Sequence, residues 1–247
     1  MEIFPAIDIK GGKCVRLSQG QFTQVTTYSE DPVKVAKRWK QEGARWLHLV
    51  DLDGARMGLP NTQNLDIVRQ IIRQVGLPVQ FGGGVRSGEI VERMLNIGVT
   101  RVVIGTAAAK DAKLAEGLFA MYGEKVAVGV DAREGKVAIE GWQEHIGELA
   151  TTFVARMAQI GAKRFIFTDI ARDGMLTGVN IPSLAQVAAM VPHLPVIASG
   201  GVATIADIDS LTYLRANSTP NVEGVIIGKA LYAGTVTLSD VLAHARA

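Results

Sequence analysis

Asp8 and Asp131 stand 123 positions apart, and each closes a β-branched apolar run that leads into a basic, glycine-containing hairpin, at residues 10–16 and 133–136. A carboxylate at a strand end can take or give a proton, so two that flank one ligand suit a base and an acid. Two glycine-rich sets accompany them: Gly82-Gly83-Gly84 with Gly105-Thr106, and Ser199-Gly200-Gly201 with Gly228-Lys229. Glycine lets backbone N–H groups approach an anion closely, which suits phosphate. A lone Gly-Gly is more often a tight turn, but two sets in equivalent places, one after the seventh and eighth β runs, favour two phosphate cups. Opposed cups imply a small ligand with a phosphate at each end.

Other strand-end side chains compete for roles. Asp51, Asp53, Asp169 and Asp173 are alternative carboxylates, with Asp51 and Asp169 read as structural because Asp readily bonds nearby amides. Thr168 ends a run beside Asp169. Arg16, Arg86 and Arg172 lie in or after strand-end loops and suit phosphate, against the ordinary fate of solvated surface charge. Trp142 either stacks on a flat ring or covers the site. His48, His145, His193 and His244 have no metal-ligand spacing, so no metal is expected; His48, inside a β run, reads as packing.

Eight short apolar runs would position these residues: 3–9, 46–52, 79–81, 102–104, 126–130, 165–170, 196–198 and 225–227. Helix-period segments lie between them at 32–42, 65–75, 89–97, 112–122, 149–160, 181–191 and 205–216, several closed by a glycine. Asp31-Pro32 reads as a helix start, and Thr204 with Asp207 as an imperfect capping box. Eight strand–helix units fit a closed barrel or an open sheet. The repeat separates the two: Val103-Ile104-Gly105-Thr106-Ala107 matches Ile226-Ile227-Gly228-Lys229-Ala230 at the same 123-residue spacing, and Gly83-Gly84-Val85 matches Gly200-Gly201-Val202 at 117. Pairing of units one with five and four with eight predicts a single α/β domain, a (β/α)₈ TIM barrel of two half-barrels, about 1–123 and 124–247.

Composition agrees with a large folded domain: 48% of the 247 residues are hydrophobic and 20% charged. A net charge of +2 without long like-charge runs gives little support to nucleic-acid or membrane-surface binding. One cysteine, Cys14, excludes an internal disulfide, and acids at Glu2 and Asp8 interrupt the first apolar run. A cytoplasmic, monomeric enzyme acting on a small molecule is expected. Residues 19–29 and 173–180 read as long loops that close over the ligand.

Five strings carry a resemblance: Phe4-Pro5-Ala6-Ile7-Asp8-Ile9; residues 12–20, GKCVRLSQG; residues 48–55, HLVDLDGA; Gln80-Phe81-Gly82-Gly83-Gly84-Val85-Arg86; and residues 168–174, TDIARDG. Together they resemble the phosphoribosylformimino-5-aminoimidazole carboxamide ribotide isomerase family of histidine biosynthesis, from Met1 to about Leu242. The resemblance implies an Amadori rearrangement of a bis-phosphorylated aminoaldose to an aminoketose without a cofactor. It assigns Asp8 as the base at C2′ and Asp131 as the acid at the ring oxygen, places Thr168 and Asp173 beside the reacting sugar, and leaves Asp173 as a rival acid. Phe4 and Phe81 replace smaller apolar residues common in the family. Three other readings share parts of the pattern: an isomerase that also accepts phosphoribosyl anthranilate, the sister cyclase barrel of imidazole glycerol phosphate synthase, and a catalytically silent binder. The VRLSQG run at residues 15–20 favours the isomerase over the cyclase, and the three aspartates together argue against a silent binder.

Overall fold

A computed structural model describes residues 1–18, 21–142 and 144–246. Gln19 and Gly20 of the second string, and the side chain of His145, lie outside the described residues. The strands are β1 (Glu2–Lys10), β2 (Lys13–Ser18), β3 (Gln21–Ser29), β4 (Leu47–Asp51), β5 (Val79–Gly82), β6 (Arg101–Ile104), β7 (Val126–Arg133), β8 (Lys136–Ile139), β9 (Glu144–Leu149), β10 (Phe165–Asp169), β11 (Val196–Ser199) and β12 (Val222–Ile227). Eight of them pair in parallel around a closed ring, β1-β4-β5-β6-β7-β10-β11-β12 and back to β1. Helices connect successive ring strands, so the chain is a (β/α)₈ barrel. Its helices at Pro32–Gln41, Thr62–Val75, Gly88–Asn96, Ala112–Tyr122, Ala150–Gln159, Ile181–Met190 and Ile205–Asn217 fall where the apolar periodicity places them. Among the described residues no helix is long and apolar enough to cross a membrane.

Period-2 alternation sorts the ring strands into two cores. One side of each strand meets the helices: Ile3, Ile7, Leu47, Leu49 and Phe165 are fully buried in that outer layer. The other side fills the barrel: Phe4, Ala6, Ala127, Ile166, Ile197 and Ile226 form a separate cluster, with Trp46 tilted against Phe4 at 5.7 Å between ring centroids. The filled interior seals the lower barrel, leaving the strand ends as the place for a ligand.

Local signals fix the helix starts. The Asp31 side chain accepts a 3.0 Å hydrogen bond from the Lys34 amide, with Pro32 in the first turn. Asp207 Oδ2 accepts from the Thr204 amide at 2.9 Å, so the shorter Asp completes the box expected of Glu or Gln.

Two hairpins stand on the strand-end face, one after β1 and one after β7. β2 returns antiparallel to β1, with Asp8 opposite Val15, and β8 returns to β7, with Ala132 opposite Val137. Residues 21–29 were expected as loop; they are β3, paired with β2 through Arg16–Thr26 and Val15–Thr27. Gln24 to Thr27 are exposed, so this strand lacks the buried alternation that marks the others, and its β-branched residues are the remaining signal. Residues 173–180 are irregular, as expected.

Gly83 and Gly201 are fixed by close backbone approach. Their φ values are +109° and +92°, and an added Cβ would lie 2.2 Å from the Asp51 carbonyl oxygen and 2.3 Å from the Gly178 carbonyl oxygen. Gly201→Ala is therefore expected to destabilise the barrel by about 3 kcal/mol or more, since it combines a disfavoured φ with an overpacked contact. Urea unfolding of the variant checks this; an unchanged midpoint would show that the cup relaxes freely.

Candidate active site

The ends of the ring strands surround one cavity lined by Asp8, Arg16, His48, Gly83, Gly84, Arg86, Gly105, Thr106, Asp131, Trp142, Thr168, Asp173, Ser199, Gly200, Gly201, Gly228 and Lys229 among others. All sixteen of the site residues expected from the sequence meet there, together with His48. Gly105 and Gly228 share one backbone shape, φ −115° and ψ −83° against φ −111° and ψ −95°. Each follows a ring strand in the same unusual conformation and lines the cavity.

Asp8 ends the barrel part of β1 and is buried. The hairpin brings Arg16 back over it, and Arg16 Nη1 donates to Asp8 Oδ2 at 2.8 Å. The same guanidinium fills the space beside Gly228, where an added Cβ would lie 1.9 Å from Nη2. Burial raises the Asp8 pKa from 3.8 to about 6, Arg16 pulls it back, and Asp173 pushes it up. Burial opposes the Arg16 charge, but Asp8 and Asp173 outweigh it and raise the guanidinium pKa. At pH 7 to 8 Asp8 is thus mostly ionised yet basic enough to accept a proton.

Removing Arg16 deletes the one influence that lowers the Asp8 pKa. In Arg16→Met the acidic limb of kcat/KM is expected to move to higher pH by about one unit or more, the usual size of one opposite charge at close range. A pH–rate profile with an unmoved limb would show that Asp8 does not control it.

Asp131 sits opposite Thr168 in the β7–β10 register and accepts from the Trp142 indole Nε1 at 2.8 Å. Trp142 reaches it from the turn after β8 with a left-handed φ of 72°, a strained shape that the Asp131 contact helps to hold. Burial raises the Asp131 pKa; hydrogen bonds from Trp142 and Thr168 lower it, and Asp173 raises it. Asp173 also has a raised pKa, through burial first, against the charges of Arg16 and Lys229. Lys229 Nζ donates to the Gly174 carbonyl at 2.8 Å and so ties the loop after β10 to the end of β12.

The competing acids and cations have other partners. Asp51 is fully buried and accepts from the Gly54 and Asn61 amides and Asn64 Nδ2, at 2.9, 2.6 and 2.6 Å. Asp53 holds the first hairpin through the Gly11 amide at 2.7 Å, and Asp169 accepts from the Ala171 amide and Asn180 Nδ2. Arg172 donates to the Thr177 and Gly178 carbonyls, so it shapes the loop. Arg86 packs on Gly58 at the cavity edge. His193 is exposed and His244 bonds Asp209.

His48 was expected to be packing and instead lines the cavity. Its neighbours Leu47 and Leu49 are fully buried against the helices, so alternation places His48 and Val50 on the inward side, a signal present in the sequence.

The family model described as histidine biosynthesis protein matches residues 2–237. The chain is 50% identical over 246 residues to a Chloroflexus aurantiacus protein named 1-(5-phosphoribosyl)-5-((5-phosphoribosylamino)methylideneamino)imidazole-4-carboxamide isomerase, covering 99% of this chain and 98% of that one. A Desulforudis audaxviator protein of the same name is 47% identical over 246 residues, covering 100% of this chain and 92% of that one.

Proposed function

Because the chain belongs to the histidine biosynthesis protein family, we propose that it is the aldose–ketose isomerase for which these relatives are named. The substrate is a small molecule with two ribose phosphates joined through an imidazole carboxamide. The observation that carries this reading is the convergence of three carboxylates, Asp8 buried and Asp131 and Asp173 half-buried, each with a raised pKa, between two matching glycine cups. The cups of Gly83, Gly84, Gly105 and Thr106, and of Ser199, Gly200, Gly201, Gly228 and Lys229, hold one phosphate each, with Arg86 and Arg16 nearby. The matching geometry also supports reading the chain as one domain duplicated from a half-barrel.

In the reaction, an acid protonates the furanose ring oxygen while the nitrogen lone pair forms C1′=N and the C1′–O bond breaks. Asp8 then removes the C2′ proton, and the C2′–H electron pair forms C1′=C2′ as the imine electrons return to nitrogen. The resulting enolamine takes a proton at C1′ and becomes the aminoketose as its hydroxyl proton leaves. Atoms balance within the substrate, so no oxidant enters.

Asp131 and Asp173 compete for the acid. Two donors hold Asp131 toward its ionised form, whereas among the described residues no hydrogen-bond donor reaches the Asp173 carboxylate. A carboxyl without donors keeps its proton more readily, which favours Asp173 as acid and Asp131 as the partner that orients Trp142 and Thr168. Single buried Cys14 supports a reducing cytoplasmic setting.

Conversion of the bis-phosphorylated aminoaldose by the purified chain, followed by the change in substrate absorbance and by NMR of the product, tests the function. Binding without conversion would leave only the cyclase or silent-binder readings.

A further inference from the structure

Below the carboxylates the barrel interior carries a polar thread. His48, Gln80 and Arg101 are register partners across β4, β5 and β6, and their side chains bond in sequence. Arg101 Nη1 donates to Gln80 Oε1 at 2.9 Å, and Gln80 Nε2 lies 2.9 Å from His48 Nδ1. Gln80 is fully buried and Arg101 nearly so. Beneath them the Arg101 guanidinium stacks on the Trp46 ring at 4.7 Å and stands 3.9 Å from Glu223, which Arg164 grips through two hydrogen bonds. At the upper end His48 lines the cavity, and among the described residues nothing bonds its Nε2.

The direction of this thread is forced by what each group can do. A guanidinium only donates, so the Gln80 atom facing Arg101 is the amide oxygen, and the atom facing His48 is the amide nitrogen, which also only donates. His48 Nδ1 must then accept. A neutral imidazole has one N–H, so it is on Nε2.

We propose that Arg101 and Gln80 are positioning residues that lock His48 as a neutral imidazole presenting an Nε2–H donor to an oxygen of the bound substrate. The substrate half of this inference rests on the isomerase reading. Burial, aided by the Arg16 charge, holds the His48 pKa down at about 3, and burial lowers the Arg101 pKa only to about 10, so at neutral pH one ring is uncharged and one guanidinium charged. Apolar side chains fill the rest of the barrel interior, and burying a guanidinium there is costly unless its bonds have a use. A hydroxyl or carbonyl oxygen fits such a donor, since neither repels a neutral ring.

The test joins a spectrum to a rate. In ¹⁵N NMR of the histidine rings, with His48 assigned by its loss in His48→Gln, the wild type is expected to show the proton on Nε2 from pH 5 to 9. Gln80→Glu keeps the shape and the Arg101 bond but offers His48 only an acceptor, so the ring proton moves to Nδ1. With an acceptor now facing the substrate oxygen, kcat/KM is expected to fall about 10- to 100-fold, the range for a buried polar pair turned mismatched. A wild-type ring protonated at Nδ1, or a Gln80→Glu ring that does not switch, overturns the lock; a switched ring with unchanged kcat/KM overturns the substrate contact. Should the wild type convert no aminoaldose, the isomerase reading fails and the substrate half with it, while the wild-type spectrum still decides the lock.

Discussion

Asp8→Asn is expected to lose turnover by about 10³-fold, within the range for removing a general base, while still binding the bis-phosphorylated ligand. The amide has nearly the shape of the carboxyl but cannot take the C2′ proton, and both glycine cups are untouched. Stability separates this loss from misfolding. A folded-state pKa raised from 3.8 to about 6 means that the fold holds the Asp8 proton more tightly than the unfolded chain does. The contribution is fully present below about pH 4 and is lost as pH rises through about 6, a difference of about 3 kcal/mol. Asparagine removes that ionisation, so at pH 8 the variant is expected to melt no lower than the wild type, and its advantage narrows toward pH 4. Full turnover in a stable Asp8→Asn protein would remove Asp8 from the chemistry.

Asp173→Asn is expected to lose about 10²- to 10³-fold in kcat/KM together with the fall at high pH. The alkaline limb belongs to the acid: once its proton is gone the ring oxygen has no donor, and an amide in its place no longer titrates. Burial raises the Asp173 pKa against the charges of Arg16 and Lys229, the direction an acid requires. Asp131→Asn is expected to lose less and to keep the limb, because its work is to hold Trp142 and receive Thr168. Paired pH–rate profiles of the two variants decide the assignment. A lost limb in Asp131→Asn alone would make Asp131 the acid. Since Asp173 raises the pKa of both other carboxylates, each variant also shifts its neighbours, so the limb that vanishes, and not the one that moves, identifies the acid.

These residues also mark how far the linear chain could be read. Apolar runs such as 3–9 and 165–170 announced their strands because one side of each is packed on helices and the other fills the barrel. The repeat at 123 residues singled out a closed ring, and the glycine pairs at 83–84 and 200–201 were legible because their backbones meet carbonyls at distances that exclude a side chain. β3 escaped because its residues 24–27 are exposed, so no buried alternation marks that stretch.

The sequence by itself determined the barrel, its repeated glycine pairs and the strand-end aspartates, since periodicity and glycine placement are properties of neighbours along the chain. Tertiary structure alone decided what each charged group does. Asp51 and Asp8 both end strands, yet one is satisfied by three donors and the other faces a single guanidinium. Arg16 and Gly228 are over two hundred residues apart and touch, and His48 receives its polarity from Gln80 and Arg101 on two other strands. A pKa or a tautomer depends on burial and on charges arriving through space, and closure of the ring is what brings those distant groups within bonding distance.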